Sequence, residues 1–411
     1  MTIPDKRKAR KSREWKEAFN IYRHQLEHHN FSMFGEHAVP DLPAGTGPML
    51  PFADVLAVCP WFYPAQFHRA ELMLRFGADG GEREFEQAFR MMREILEKES
   101  ELEQEISMRL SHLEELLRYD LAAKYAEEAI RVLPDSPAFY DDRAFYMYHL
   151  PNGDKGKAKQ LILQALDMEP DNEYFIANYG WMLMLEGRLD EAKEQFDKAI
   201  AFDGDLDSAW RNMDIVDYMQ ENGIKNYYDY LLRPVDREQL QAFMDEADFD
   251  GVADMCSGYN TDRIEAFKLH HLQSTELPPH DTLDAIELLT PFMEAIVNTI
   301  ETDFVLFENT KLLFERPGLI YYNYFNAMGN VDAPLLQSLN HALTEIYTFL
   351  STKNLIPKSE LPSLLDHLKA QTTHHADLIG RYYETLHSPD LHEDQKESNI
   401  ALLFNIKPEE L

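Results

Sequence analysis

Cysteine is scarce in the 411 residues. Only Cys59 and Cys256 occur, too few for a disulfide framework or a zinc site built on thiolates. Long apolar runs are also lacking. The most apolar stretch near the N-terminus, Leu50 to Phe67, carries Asp54 and three prolines and makes a poor membrane span. The N-terminal residues are basic and polar with no apolar run behind them, so they do not read as a secretory signal, and a cytoplasmic location is the expectation. Positive charge is short: 39 Lys and Arg stand against 73 Asp and Glu, a net of -34. Such a chain repels a phosphate backbone, which disfavours general nucleic-acid binding. Catalytic signatures are missing as well, with no G-x-S-x-G, no G-x-x-x-x-G-K-[ST] and no H-E-x-x-H to support a nucleophile elbow, a phosphate loop or a zinc-protease helix.

What is present is periodic. Alanine pairs recur as Ala122 and Ala129, Ala158 and Ala165, Ala192 and Ala199, and each is followed by a helix-stopping residue, Pro134, Pro170 or Gly204. The spacing between pairs is 36 and then 34 residues, the mark of a repeat architecture. Seven residues separate the alanines of a pair, placing both on one helical face, where small side chains let a neighbouring helix approach closely. No alternating strand pattern competes, so the expected class is all-α. Hydrophobic residues at 45% and charged residues at 27% suit a globular chain, and its length allows two or three domains.

The clearest unit runs from Glu173 to about Leu206. It reads Ile176, Tyr179, Gly180 and Leu183 on a first helix, Gly187-Arg188-Leu189 at a turn, then Ala192, Phe196, Ala199 and Phe202 on a second. Gly180 in mid-helix asks for a reason such as close packing. Gly187 should close the first helix, Asp190 should cap the second and Gly204 should end it. On these residues the unit resembles a tetratricopeptide repeat (TPR). Upstream, Ala158, Ile162, Ala165 and Pro170 give a second helix of the same kind after the turn Pro151 to Asp154, while its first helix admits either Arg143 or Phe145 at the main apolar position. Ile106, Leu110 and Leu113 with Tyr125, Ala129 and Pro134 form another unit. Ala88, Met92 and Ile95 suggest a degenerate earlier one. Ala209, Trp210 and Met213 open a last unit whose second helix is shortened by the Arg233-Pro234 break.

The expected architecture is therefore a TPR-like helix-pair solenoid over residues 65–232, clearest at 103–222, with an N-terminal helical extension at 1–64 and an all-helical C-terminal domain at 233–411. The extension holds a helix over Ser12 to His29 and a loop rich in Pro and Gly from Pro40 to Pro51, and it should pack on the first repeats. Its first 16 residues carry +5 and the rest of the chain -39. In the C-terminal part the periods place helices at Asp236 to His271 (one or two), Thr282 to Ile300, Val331 to Leu350 and Ser359 to Leu386, either as a bundle or as a degenerate continuation of the solenoid.

The resemblance implies recognition without catalysis: first helices of successive repeats line a concave groove that grips a segment of a protein partner. The matching groove positions are Tyr174, Ala177, Asn178, Trp181, Met184 and Leu185 in the clearest unit and Ser208, Arg211, Asn212, Ile215 and Tyr218 in the next. Chaperone-binding members hold a terminal carboxylate with lysine, asparagine and arginine. Here Asn178 stands at the asparagine position, but Arg211 lies one place before the arginine position and Asn212 occupies it. An aromatic groove for an apolar or helical peptide fits better, and the acidic surround favours a basic partner. The alternative is that Trp181 and Met184 pack against the N-terminal extension or the C-terminal domain.

Other chemistries have weaker signals. Arg23 to His28 resembles the Arg-polar-x-x-x-His signature of the HEPN helical ribonucleases, as do Arg143 to His149 and Arg381 to His387, so a nuclease is the enzyme alternative. Glu384 to His387 is half of a di-iron carboxylate motif with no second copy. Glu246 to Gly251 imitates a calcium loop, but the twelfth position is Ser257 where a bidentate glutamate is needed. Adjacent histidines (His28-His29, His270-His271, His374-His375) point about 100 degrees apart on a helix and rarely chelate one ion. No cofactor or metal is implied.

Overall fold

The computed structural model describes residues 6–28, 52–274, 277–297 and 306–407. The loop from Pro40 to Pro51, His29 and Ile300 lie outside the described residues. Among the described residues every regular element is a helix. By their contacts the residues fall into two compact units, 1–227 with 272–280, and 228–271 with 281–411.

The first unit opens with α1 (Lys6–Ala9), α2 (Arg13–His28) and α3 (Ala53–Val58). Helix pairs follow: α4 (Tyr63–Arg75) with α5 (Gly81–Ile95), α6 (Glu99–Glu115) with α7 (Tyr119–Val132), α8 (Ala138–His149) with α9 (Lys155–Met168), and α10 (Glu173–Leu185) with α11 (Leu189–Phe202), before α12 (Asp207–Glu221). Besides packing on its chain neighbours, α8 touches α6 and α10, and α10 touches α12. First helices therefore form a continuous inner row, as a helix-pair solenoid requires.

The local chemistry explains this regularity. All six repeat alanines are fully buried, together with Phe196. A side-chain carbon added at Gly180 would stand 2.8 Å from the Phe196 ring, so α10 and α11 approach as closely as they do because that carbon is missing. Asn172 caps α10, its side-chain oxygen accepting from the backbone N–H of Tyr174 and Phe175 at 3.1 and 3.2 Å, and Asp154 caps α9 through Lys157 N–H. At the other end of α10, Gly187 takes φ +73°. Its N–H bonds the Met184 carbonyl and that of Arg188 bonds the Leu183 carbonyl, the paired closure of a Schellman turn. Asp190 is not the cap expected of it. Arg188 holds that position with no side-chain cap, while Asp190 sits in the first turn, favourable to the helix dipole, and accepts from Gln220 at 2.7 Å.

The structure also resolves the register of α8. Ala144 is fully buried and lies 36 residues before Gly180. Arg143 turns outward to pair with Glu127 of α7 at 2.9 Å, and Phe145 takes the opposite side, 36 residues before Trp181. After α12 comes the short α13 (Tyr227–Leu231), which falls in the second unit from Tyr228 on. Trp210, 34 residues after the buried Ile176 (4%), is left 49% exposed.

Helix α2 packs on α3 and on the start of α4. Trp15 packs on Phe62 and Tyr63 at 4.7 and 5.7 Å, and the Tyr22 ring meets Phe52 and Phe62. The Tyr22 hydroxyl is 3.2 Å from His68 Nδ1, and Arg10 pairs with Glu101 of α6. Beneath Tyr22, the buried Glu71 of α4 meets Arg109 and His112 of α6, each at 3.1 Å, a charged tie between successive inner helices.

The second unit contains α14 (Arg237–Asp245), α15 (Phe249–Ser274), α16 (Pro279–Val297), α17 (Thr310–Glu315), α18 (Pro317–Met328), α19 (Ala333–Thr352), α20 (Leu361–Leu386) and α21 (Glu393–Phe404), with the ends that α15 and α16 contribute at 272–280 counted in the first. The segment Asp236 to His271 thus resolves into two helices. Arg263, fully buried, binds Glu308 at 2.7 and 3.0 Å and the Arg233 carbonyl at 2.8 Å.

Candidate binding groove

An aromatic ladder runs from α10 across α8 to Tyr119 at the start of the outer helix α7. Trp181 of α10 lies 5.1 Å from Phe145 and 5.3 Å from His149 of α8, the latter nearly parallel at 18°. His149 in turn stacks on Tyr119 of α7 at 4.3 Å and 8°, and Phe145 closes on His149 at 4.5 Å. Offset and edge arrangements at these separations add roughly 0.5–1.5 kcal/mol per pair to simple burial. Phe145, His149 and Trp181 remain half-buried, so part of each ring is open to a ligand.

Other groove residues separate by exposure. Tyr174 is 57% exposed, Ile215 only 8% and Met184 not at all. Ser208 and Arg211 are exposed, whereas Asn178, Leu185, Asn212 and Tyr218 are half-buried and Ala177 is buried. Met184 therefore supports the stripe from beneath and offers no surface of its own. The structure joins Trp181 and Asn178 to a wall on α8 that the expected positions omitted. Phe145 and His149 belong to it, and so do two carboxylates.

Those carboxylates sit one turn along from the aromatic rings. Asp141 is buried, and the Asn178 amide donates to both its oxygens at 2.8 and 3.1 Å. Loss of hydration pushes its pKa up to about 7, with the Asn178 hydrogen bond opposing. Asp142 is raised well above its usual range by desolvation first and then by the negative charges of Asp141 and Glu114. Tyr146, hydrogen-bonded to Glu114, is raised for the same reasons. A lysine or arginine beside these groups would relieve the crowding; a carboxylate would worsen it.

The remaining motifs scatter. On α2, Arg23 pairs with Glu27 at 3.4 Å and His28 bonds the His24 carbonyl; His24, Glu27 and His28 are exposed, with ligand atoms within 4.8 Å of one another. Arg143 and His149 face different neighbours, Glu127 and Trp181. His387 stacks on Tyr383. Glu246 to Gly251 forms an interhelical turn in which Asp248 accepts from the Gly251 N–H at 3.0 Å. His375 is a core histidine: it stacks on Tyr321 at 4.2 Å and on Phe404, and burial lowers its pKa to about 4.

Compared with known families, residues 175–206 match the family model described as tetratricopeptide repeat, the unit whose helices are α10 and α11. The chain thus carries a TPR within a longer all-helical array, and repeats of this kind serve protein–protein interaction. No curated protein matches the chain. Among the described residues no helix is long and apolar enough to cross a membrane.

Proposed function

We propose that this protein is a non-enzymatic adaptor, scaffold or regulatory subunit that captures a peptide or helix of a protein partner on the inner row of its repeats. The observation that carries the reading is the half-open ladder of Phe145, His149 and Trp181, large aromatic rings that meet between α8 and α10 and remain half-buried. Central aromatic anchors of this kind dominate binding energy in protein interfaces. Tyr174, Asn178, Ser208, Arg211, Asn212, Ile215 and Tyr218 extend the face towards α12, with Met184 supporting it from below. Binding works by shape and burial, so no cofactor enters. We assign the array to residues 65–232, with the extension before it and the helical domain after it, and place the protein in the cytoplasm.

A photocrosslinking amino acid in place of Arg211 tests the face directly, with the same group in place of Lys198 on α11 as control. The partner should be captured from position 211, lost when Trp181→Ala is added, and absent from position 198. Equal or stronger capture from position 198 would move the interface to the outer helices.

A further inference from the structure

We infer that the groove's ligand is a protein segment bearing a cationic side chain, an arginine or lysine that enters beside Phe145 and Trp181 and pairs with Asp141 and Asp142. The inference rests on the groove reading above and supplies the chemistry of its ligand.

Three observations converge on it. First, among the described residues no cation pairs with either acid of the groove. Asp141 is held only by the neutral amide of Asn178, and the charges that act on Asp142 are themselves carboxylates. The nearest arginine in sequence, Arg143, is committed to Glu127 on the other side of α8. Second, the wall next to the acids is aromatic. A guanidinium or ammonium laid on Trp181 or Phe145 gains from the ring face while its hydrogens reach carboxylate oxygens, and a planar guanidinium can meet two of them at once. Third, the chain shows what its own inner row accepts. Trp15 and Tyr22 of α2 pack around the start of α4, and Arg10, in the turn just before α2, pairs with Glu101 of α6. A partner segment of the same character would continue that arrangement over α8, α10 and α12.

A phage-displayed library of random dodecapeptides, selected on the full chain, provides the probe. Enriched peptides should share an arginine or lysine. Replacing it by alanine should weaken binding to the natural protein roughly 10- to 100-fold, the usual loss for a hydrogen-bonded charge, and should change binding to the Asp141→Asn/Asp142→Asn protein far less. Helical circular dichroism and the melting midpoint of that variant check its fold, in which one of the two Asp141 oxygens still accepts from Asn178. Peptides that bind through Trp181 without a shared cation would overturn the inference and leave the groove standing, as would an equal loss on both proteins. If no enriched peptide depends on Trp181, the groove reading fails and the inference with it.

Discussion

At the scale of single residues, burial turns two ordinary aspartates into a pH-dependent liability. For Asp141 the folded pKa, about 7, lies above the unfolded value near 3.9. The folded chain therefore holds a proton that the unfolded chain has released, and stability falls as pH rises between those values. Asp141→Asn removes the effect. Urea titrations at pH 4.5 and pH 8 should show the variant gaining on the natural protein with rising pH, by on the order of 1–4 kcal/mol at the upper end; a constant difference would mean that Asp141 is solvated. Gly180 is sensitive to size. Adding the 2.8 Å clash with Phe196 should lose about 1–3 kcal/mol against a helix-propensity gain of ~1 kcal/mol, so Gly180→Ala should lower the melting midpoint. A raised midpoint would show that α10 and α11 can part at little expense. The sequence announced Gly180 by placing an unfavourable residue in mid-helix. It did not announce Asp141 and Asp142, because polarity in a helix reads as an exposed face until the register of α8 is known.

At the scale of elements, the helix pairs were legible because small residues recur wherever two helices cross. In the C-terminal part, α14 to α16, α19 and α20 followed from apolar period and from Pro at the first turn of α19 and α20, whereas α18 and α21 were not anticipated. Short helices such as α3 and α17, six residues each, were not, since a single turn fixes no periodicity. Nor was the α8 wall. Two inserted residues before Ala158 left Arg143 and Phe145 interchangeable, and only the burial of Ala144 sends Phe145 to the Trp181 side. Helix α2 is attached through Trp15 and Tyr22. Trp15→Ala should destabilise the first unit by about 3–5 kcal/mol and raise amide exchange in α2 and α4 while leaving α19 and α20 protected. Unchanged exchange in α4 would mean that α2 rests on the repeats without supporting them.

At the scale of the whole molecule, the net charge of -34 works with the groove acids. A strongly negative net charge draws in a basic partner before contact and repels an acidic one. Association with a cation-bearing peptide should therefore slow several-fold between 50 mM and 500 mM salt, while the dissociation rate changes little, as stopped-flow mixing would record. A salt-independent association rate would remove charge from the account of recognition.

The central claim is that Trp181 belongs to a ligand and not to the core. Affinity for a groove-selected peptide and the denaturation midpoint, measured side by side on Trp181→Ala, test it most directly. The account predicts that binding weakens by roughly 2 kcal/mol with only a small midpoint change. A midpoint drop equivalent to roughly 3–5 kcal/mol, with binding scaling only with the folded fraction, would contradict it and return the aromatic ladder to structure alone.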